Sequence, residues 1–273
     1  MGSSYEQITS LQNWRIKEAI QLRNRSERDA TQLFLIEGYR EVRRAMDAGW
    51  PIEQLFYCPE LFLGENEEQL LDEAQAAGTF LFHCAERVFS KLSYRDRPDG
   101  LVAVARQQRW RLEQLTFSND KPPLLLVAEA IEKPGNLGTM LRSCDATGVD
   151  ALIVCDRCTD LFNPNVVRAS VGTLFSVPCV ETTSQEALAW LFLQQIPVVA
   201  TTPAAQMAWH EAPLSGATAI VVGTEQLGLS SLWLDQATWQ VSLPMAGIAD
   251  SLNVATSAGL LLYEAVRQRT TRH

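Results

Sequence analysis

Positive charge is in short supply in this chain. Its 273 residues include 23 lysines and arginines against 32 aspartates and glutamates, which gives a formal net charge of −9. This balance argues against a protein that binds any polyanion, because phosphate contacts need basic side chains. A local basic face can still bind nucleic acid on an acidic protein. The position of the basic residues therefore matters more than their number.

Histidine is also rare, and several common catalytic and nucleotide-binding motifs are absent. The three histidines are His83, His210 and His273, and they form no convincing Ser/His/Asp triad. The first strand of the second half is not followed by Gly-x-Gly-x-x-Gly, and the segment 223–228 lacks the lysine of a phosphate-binding Walker loop. These absences argue against a triad hydrolase, a dinucleotide-binding oxidoreductase and a P-loop enzyme.

Six cysteines in a chain of this length do not indicate a disulfide framework. Cys155 and Cys158 form one Cys-x-x-Cys, but a zinc site needs two further ligands and no second paired motif supplies them. A thioredoxin-like site is the remaining alternative for this pair. The sequence therefore predicts no metal site.

Long apolar runs and a signal peptide are missing as well. No apolar run approaches the ~20 residues of a membrane span. The first seven residues lack the basic-then-apolar pattern of a secretory signal. We therefore expect a cytoplasmic protein without a membrane partner.

The length and the pattern of apolar residues predict two α/β domains. Apolar strands alternate with helical segments along both halves of the chain, and a polar stretch closed by Pro122 and Pro123 separates them. In the second half the strands are continuously apolar, which is typical of a mostly parallel sheet covered on both faces. We predict domains over residues 1–110 and 123–273, with a linker over residues 111–122.

Three segments of the second half place glycine and polar residues beside apolar runs. They cover residues 136–142, 222–230 and 243–264. The last begins as a Pro/Gly loop and leads into a long apolar helix, so Ser251 and Asn253 lie where helix amides can hold a ligand. The alternative is that Ser251 is only the helix N-cap.

Together and in this order, the segments resemble the motifs of the SpoU/TrmH family of SPOUT RNA methyltransferases. The matching residues are Asn136, Gly138 and Arg142, then Gly223, Glu225 and Gly228, then Pro244, Met245, Gly247 and Ser251 to Val254. Two positions depart from the family pattern, because Thr224 stands where Asn is expected and Ala255 where Ser is expected.

The resemblance implies a SPOUT fold, with a mostly parallel sheet, a C-terminal trefoil knot and a homodimer. It also implies S-adenosylmethionine (AdoMet) as cofactor, bound by Thr201, Gly223, Leu243, Met245, Ile248 and Leu252. The implied catalytic residues are Asn136, Arg142, Ser251 and Asn253, and the supporting ones are Glu225, Gly138 and Gly228. Arg142 either abstracts the proton or positions the ribose, and we favour positioning because a guanidinium is almost always charged. An ion pair with Glu129 or Glu132 is the structural alternative.

The N-terminal part resembles the small ribosomal-protein-like RNA-binding domain that often precedes this catalytic domain. The resemblance rests on Ser10, Asn13, Ile16 and Lys17, on Phe34, Glu37 and Gly38, and on Gly100. Its cations, including Lys17, Arg23, Arg25 and Arg28, are the predicted RNA contacts, with solvated helix faces as the alternative.

The predicted function is methyl transfer from AdoMet to a ribose 2′-hydroxyl of RNA. Ribosomal RNA is the expected substrate, because of the type of N-terminal domain. The alternatives are a transfer-RNA ribose methyltransferase and, from another class, a non-catalytic RNA-binding protein on the same fold.

Overall fold

The computed structural model describes residues 7–118, 120–156, 159–224 and 226–270. The chain divides into two compact units, one formed by residues 1–108 with 160–176 and the other by residues 109–159 with 177–273. The first unit therefore includes a segment from the middle of the chain. This division does not test the predicted domains, 1–110 and 123–273, or the predicted linker, 111–122, which stay predictions.

The first unit is a four-stranded sheet with helices. Its strands have the order β1-β4-β2-β3, in which β4 pairs antiparallel with β1 and β2, and β3 pairs parallel with β2. The strands are β1 (Leu33–Glu37), β2 (Ile52–Tyr57), β3 (Phe80–His83) and β4 (Leu101–Arg106). The helices are α1 (Trp14–Gln21), α2 (Arg25–Thr31), α3 (Tyr39–Asp47), α4 (Glu67–Ala76), α5 (Glu86–Leu92) and α7 (Pro164–Ser170).

Helix α2 is a short element of the first unit. It follows Asn24 and ends at Thr31, and the next residue, Gln32, has a φ of 57° in the left-handed region. The seven residues are too few for a periodic apolar pattern to be evident. Arg28 lies in this helix and is buried. The inward face of the helix is therefore marked by a buried arginine and not by a pattern of apolar residues.

The second unit contains a seven-stranded sheet of order β7-β6-β5-β10-β8-β11-β9, and every pairing in it is parallel. The strands are β5 (Leu124–Glu129), β6 (Ala151–Cys155), β7 (Cys179–Thr182), β8 (Val198–Thr201), β9 (Met207–Ala208), β10 (Thr218–Val222) and β11 (Trp239–Ser242). The helices are α6 (Pro134–Thr147), α8 (Ser184–Leu193), α9 (Ser231–Gln236) and α10 (Val254–Thr270). This sheet confirms the predicted parallel α/β class.

The central strands of this sheet are fully buried, as their continuous apolar sequences predict. Every residue of β5, β6 and β10 is buried, so the sheet is covered on both faces. Helix α10 packs against α6, where an added Cβ on Gly259 would lie 3.5 Å from the Ser143 hydroxyl. The N-termini of these two helices also meet, because the side chains of Asn253 and Asn136 are joined by a hydrogen bond of 3.0 Å.

Candidate active site

Three neighbouring strands of the second unit end at one place. Thr201 is the last residue of β8, Gly223 directly follows β10, and Leu243 directly follows β11. The order β10-β8-β11 makes these strand ends adjacent. Ligands of parallel sheets bind beyond such carboxyl ends, so the structure brings together the strand-end residues that the sequence proposed for the cofactor.

The loop from Gly223 to Gly228 closes on itself. Backbone hydrogen bonds join Thr224 and Gly228 in both directions, at 3.0 and 3.1 Å, and the Leu227 amide donates to the Thr224 hydroxyl at 2.9 Å. A Cβ on Gly223 would lie 2.3 Å from the Gly228 carbonyl oxygen. Glycine is therefore required at 223 by the loop itself, and not only by the close approach of a ligand. Position 224 departs from the family pattern, which has Asn there. The Thr224 hydroxyl nevertheless supplies a hydrogen-bond acceptor inside the loop.

Glu129, at the end of β5, anchors the far side of this loop. Its carboxylate is buried and accepts a hydrogen bond from the Ser230 amide at 2.8 Å and another from the Ser184 hydroxyl at 3.3 Å. The Trp233 indole donates to the same hydroxyl at 2.9 Å. Sequence reasoning considered Glu129 only as a partner of Arg142, and nothing local in the sequence indicates these partners from distant segments.

A cavity of about 430 Å³ lies between these loops and the start of α10, within the ~300–1,000 Å³ of small-molecule sites. Its walls include most of the residues proposed for the cofactor and some that the sequence did not single out. The residues proposed for the cofactor are Thr201, Gly223, Leu243, Met245 and Leu252. Ser251, proposed as catalytic, and Gly228, proposed as supporting, also line it, and the additional residues include Pro203, Leu227, Leu234, Asp250 and Ser257. Ile248 is an exception, because its side chain is fully exposed and does not line the cavity.

Asn253 connects the two helix N-termini beside this cavity. Its side-chain oxygen accepts hydrogen bonds from the amides of Ala255 and Thr256, at 3.1 and 3.3 Å, as an N-cap does. Its amide nitrogen donates to the side-chain oxygen of Asn136 on α6 at 3.0 Å. Asn253, and not Ser251, therefore caps α10. Ala255 needs only its backbone amide for this contact.

A smaller cavity of about 90 Å³ adjoins the first. It shares the wall formed by Thr224, Gln226, Leu227 and Val254, and is otherwise lined by Ala130, Ile131, Glu132, Lys133 and Asn136. The Asn136–Asn253 pair therefore lies where a second, polar molecule can approach the contents of the larger cavity.

Arg142 lies two turns into α6, and it is exposed. In the part of the chain that the structure describes it forms no ion pair with Glu129 or Glu132. Glu129 instead accepts hydrogen bonds from Ser184 and Ser230. The structural alternative for Arg142 is therefore wrong. Glu225, which was assigned a supporting role, lies outside the described residues.

The four cations proposed as RNA contacts have different environments in the first unit. Arg28 is 1% exposed, and its guanidinium donates to Asp160 at 2.6 and 2.8 Å and to the carbonyls of Leu22 and Arg23. Its assignment to RNA is wrong, because a buried, fully paired guanidinium cannot reach a phosphate. Lys17 and Arg25 are exposed.

Arg23 is half-buried and has a structural contact. One guanidinium nitrogen donates to the carbonyls of Lys91, Leu92 and Ser93, at 2.8 to 3.0 Å. These carbonyls belong to the C-terminus of α5, where a cation is favourable. Arg23 therefore holds this helix end.

Neither metal nor thiol chemistry is indicated in the described ranges. No group of three His, Cys, Asp or Glu side chains there could hold a metal ion. Burial raises the pKa of Cys58 and of Cys84 to about 12, and Cys155 is fully buried. Cys158, the other half of the Cys-x-x-Cys, lies outside these ranges. No described helix has the length and apolar composition needed to cross a membrane.

Comparisons with known proteins match both parts of the chain. A model of the SpoU rRNA Methylase family matches residues 123–263, and a model of the MRM3-like substrate binding domain matches residues 13–103. The chain belongs to the SpoU rRNA methylase family. It is 32% identical to the 23S rRNA (uridine(2479)-2′-O)-methyltransferase of Streptomyces viridochromogenes, over 91% of this chain and 87% of that protein.

Solved structures of family members agree with this assignment. The crystal structure of an RNA 2′-O ribose methyltransferase is 46% identical, with a TM-score of 0.85 over 97% of this chain and all of that one. The methyltransferase AviRb from Streptomyces viridochromogenes, in complex with AdoMet, is 31% identical, with a TM-score of 0.87 over 96% of this chain and all of that one. These findings confirm the expected class, an AdoMet-dependent RNA methyltransferase. They also confirm AdoMet as the cofactor, which the cavity at the strand ends fits in position and size.

Proposed function

We propose that this chain methylates a ribose 2′-hydroxyl of ribosomal RNA. The observation that supports this most directly is the position of the Asn136–Asn253 pair beside the cofactor cavity, across a shared wall. The substrate is inferred from relatives, since the similar Streptomyces viridochromogenes enzyme acts on 23S rRNA. We expect this activity in the cytoplasm.

The larger cavity would hold AdoMet through the ends of β8, β10 and β11. Leu243, Met245 and Leu252 supply apolar wall, and the backbone of the loop 223–228 supplies amides and carbonyls. When bound, AdoMet supplies an electrophilic methyl group on a sulfonium. The chain's own residues then need to orient the acceptor oxygen in line with that methyl and to relieve its proton.

Asn136 and Asn253 would place the ribose. Their mutual hydrogen bond fixes both side chains, since Asn253 is itself fixed by the amides of Ala255 and Thr256. Fixed polar groups orient a reactant without reorganising during the reaction. Ser251, which lines the larger cavity, is assigned to the same side of the site.

Arg142 would act as a charge that orients the ribose and a neighbouring phosphate. It has no ion pair in the described ranges to neutralise it, and it is exposed to an approaching RNA. A guanidinium stays protonated in a protein. Arg142 would therefore lower the pKa of the ribose hydroxyl by its positive charge and would not accept the proton itself.

The homodimer and the trefoil knot are further parts of this proposal. Leu260 and Tyr263 of α10 are 38% and 56% exposed, at a spacing that places them on one side of the helix. Large exposed apolar groups on a helix indicate a partner surface. Light scattering on the purified protein tests the dimer, and a Tyr263→Glu variant should favour the monomer.

Two measurements test the activity. Calorimetry should detect AdoMet binding without RNA, because the cofactor cavity is formed by this chain alone. Purified protein and labelled AdoMet should then methylate ribosomal RNA from a strain that lacks the gene, and mapping the ribose methyl group identifies the nucleotide. RNA binding without heat from AdoMet would favour the non-catalytic alternative. Methylation of transfer RNA alone would correct the substrate.

A further inference from the structure

An arginine at the start of α1 contacts two aromatic rings. The guanidinium carbon of Arg15 is 4.3 Å from the centroid of the Trp14 ring and 4.9 Å from that of Phe82 on β3. Trp14 is 55% exposed. Two cation–π contacts restrain the guanidinium, while the indole remains open to solvent. The result is a flat, cationic surface with a large aromatic component.

A cavity of about 670 Å³ adjoins this surface, and it is formed within the first unit. Phe80, which is 70% exposed, lies in its wall, and Gln7, Thr9 and Ser10 supply amide and hydroxyl groups. Of the described residues that line the cavity, Arg15 alone is charged. On a chain with a net charge of −9, such an acid-free wall does not repel the negatively charged backbone of a bound nucleotide.

The groups present here suit a base and not a row of phosphates. A phosphate track needs several cations, whereas this site offers one guanidinium, exposed rings and hydrogen-bonding groups. Proteins bind unpaired nucleotides by stacking bases on aromatic side chains and on arginine planes. In a duplex the bases are stacked on one another and cannot enter such a site.

We propose that Trp14, Arg15 and Phe80, with the adjoining cavity, bind an unpaired nucleotide of the RNA substrate. We call these three residues the stacking surface. This inference rests on the proposed function and assigns part of RNA binding to a site distinct from the exposed cations Lys17 and Arg25. A protein segment that pairs with β3, which is the end strand of its sheet, is the competing occupant.

Fluorescence anisotropy tests the proposal with full-length protein and two probes. The probes are a labelled ten-nucleotide single-stranded oligoadenylate and an RNA duplex of ten base pairs. Trp14→Ala and Phe80→Ala should each weaken binding of the single strand about 5- to 100-fold, the range for the loss of one stacked base. The slope of affinity against salt should stay unchanged, because no phosphate contact is lost. Trp14→Tyr, which keeps a ring, should restore most of the affinity.

The matched control is Phe192→Ala. Phe192 is 83% exposed on α8, in the other unit, so its removal should leave both probes unaffected. Thermal melts should be unchanged in all variants, because the altered side chains are largely exposed. Wild-type affinity for the single strand in Trp14→Ala and Phe80→Ala would overturn the proposal. An equal loss for the duplex would also overturn it, since a duplex cannot use a stacking site.

Calorimetry with AdoMet on the same variants separates this proposal from the proposed function. If the variants bind AdoMet, methylate RNA and bind RNA as the wild type does, the stacking proposal is wrong and the proposed activity still stands. Absence of AdoMet binding in the wild type would remove the proposed activity, whatever the RNA titrations show.

Discussion

At the residue scale, Arg28 and Asp160 form a buried ion pair whose partners lie far apart in the sequence. Their side chains are 2% and 4% exposed, and the Asp160 carboxylate also accepts the Phe162 amide at 2.9 Å. Arg25, three residues earlier, pairs with Asp29 across 3.5 Å, with side chains 62% and 50% exposed. Two arginines of the same helix therefore form ion pairs in opposite environments, Arg28 in the interior and Arg25 in solvent.

We predict that Arg28→Ala destabilises the protein by about 3–5 kcal/mol, because it leaves Asp160 as an uncompensated buried charge. Arg25→Ala should change the free energy of unfolding by no more than about 1 kcal/mol, since exposed pairs contribute little. Urea unfolding measures both. Replacement of both partners, in Arg28→Met with Asp160→Leu, should recover part of the loss. Equal effects of the two alanine variants would show that the buried pair has no special cost.

A second prediction at this scale concerns Arg142. Arg142→Lys keeps the charge but loses the planar fork of donors, so single-turnover methylation of saturating RNA should slow about 100- to 1,000-fold. AdoMet affinity and thermal stability should stay near those of the wild type, because Arg142 is exposed and does not line the cofactor cavity. Near-normal rates would remove Arg142 from catalysis.

At the element scale, the loops that follow β8, β10 and β11 form the larger cavity, which we propose as the AdoMet site, and two helix N-termini adjoin it. The loop 223–228 is held from inside by its own hydrogen bonds and from outside by Glu129. A site built this way depends on tight turns whose atoms leave no space for a methyl group. Gly223 is the clearest case.

Gly223→Ala should therefore lower AdoMet affinity about 5- to 150-fold. The added methyl must displace the Gly228 carbonyl, and forcing extra atoms into a packed region costs about 1–3 kcal/mol. Gly216→Ala is the matched control, because a Cβ there meets no atom within 4 Å. Calorimetric titration of both variants compares them directly. Unchanged affinity in Gly223→Ala would show that the loop adapts without cost.

The strands and long helices were predictable because their signals are local. The apolar runs of β5, β6 and β10 indicated a buried parallel sheet, and helix α6 ends before Gly148, whose φ of 67° suits a glycine. The side-chain partners were not predictable in the same way. Burial of Arg28, capping by Asn253 and the anchoring by Glu129 depend on residues more than a hundred positions apart or on loop geometry.

At the scale of the whole molecule, the chain leaves the second unit after residue 159 and contributes residues 160–176 to the first. This segment supplies Asp160 to Arg28 and two rings to an aromatic cluster. Phe162 lies 4.9 Å from Phe34 between ring centroids, and Phe175 lies 5.1 Å from Trp50. The core of the first unit is therefore built from two separate parts of the sequence.

We predict that a fragment of residues 1–110 is poorly folded on its own. It leaves Arg28 without Asp160 and exposes Phe34 and Trp50, which lose their contacts with Phe162 and Phe175. A fragment that joins residues 1–108 to 160–176 through a flexible linker should melt cooperatively and at a higher temperature. Circular dichroism and binding of a hydrophobic dye compare the two. A cooperative melt of the shorter fragment at the same temperature would show that residues 160–176 are dispensable.

The segment 160–176 also has a consequence for how the protein is made. Domains commonly fold in order as they leave the ribosome, at ~5–20 residues per second. Synthesis of the roughly 70 residues between 108 and 176 then takes about 3–14 s. During this time the core of the first unit lacks residues 160–176. If the fragment prediction holds, a chain that terminates before residue 160 releases an unfinished first unit.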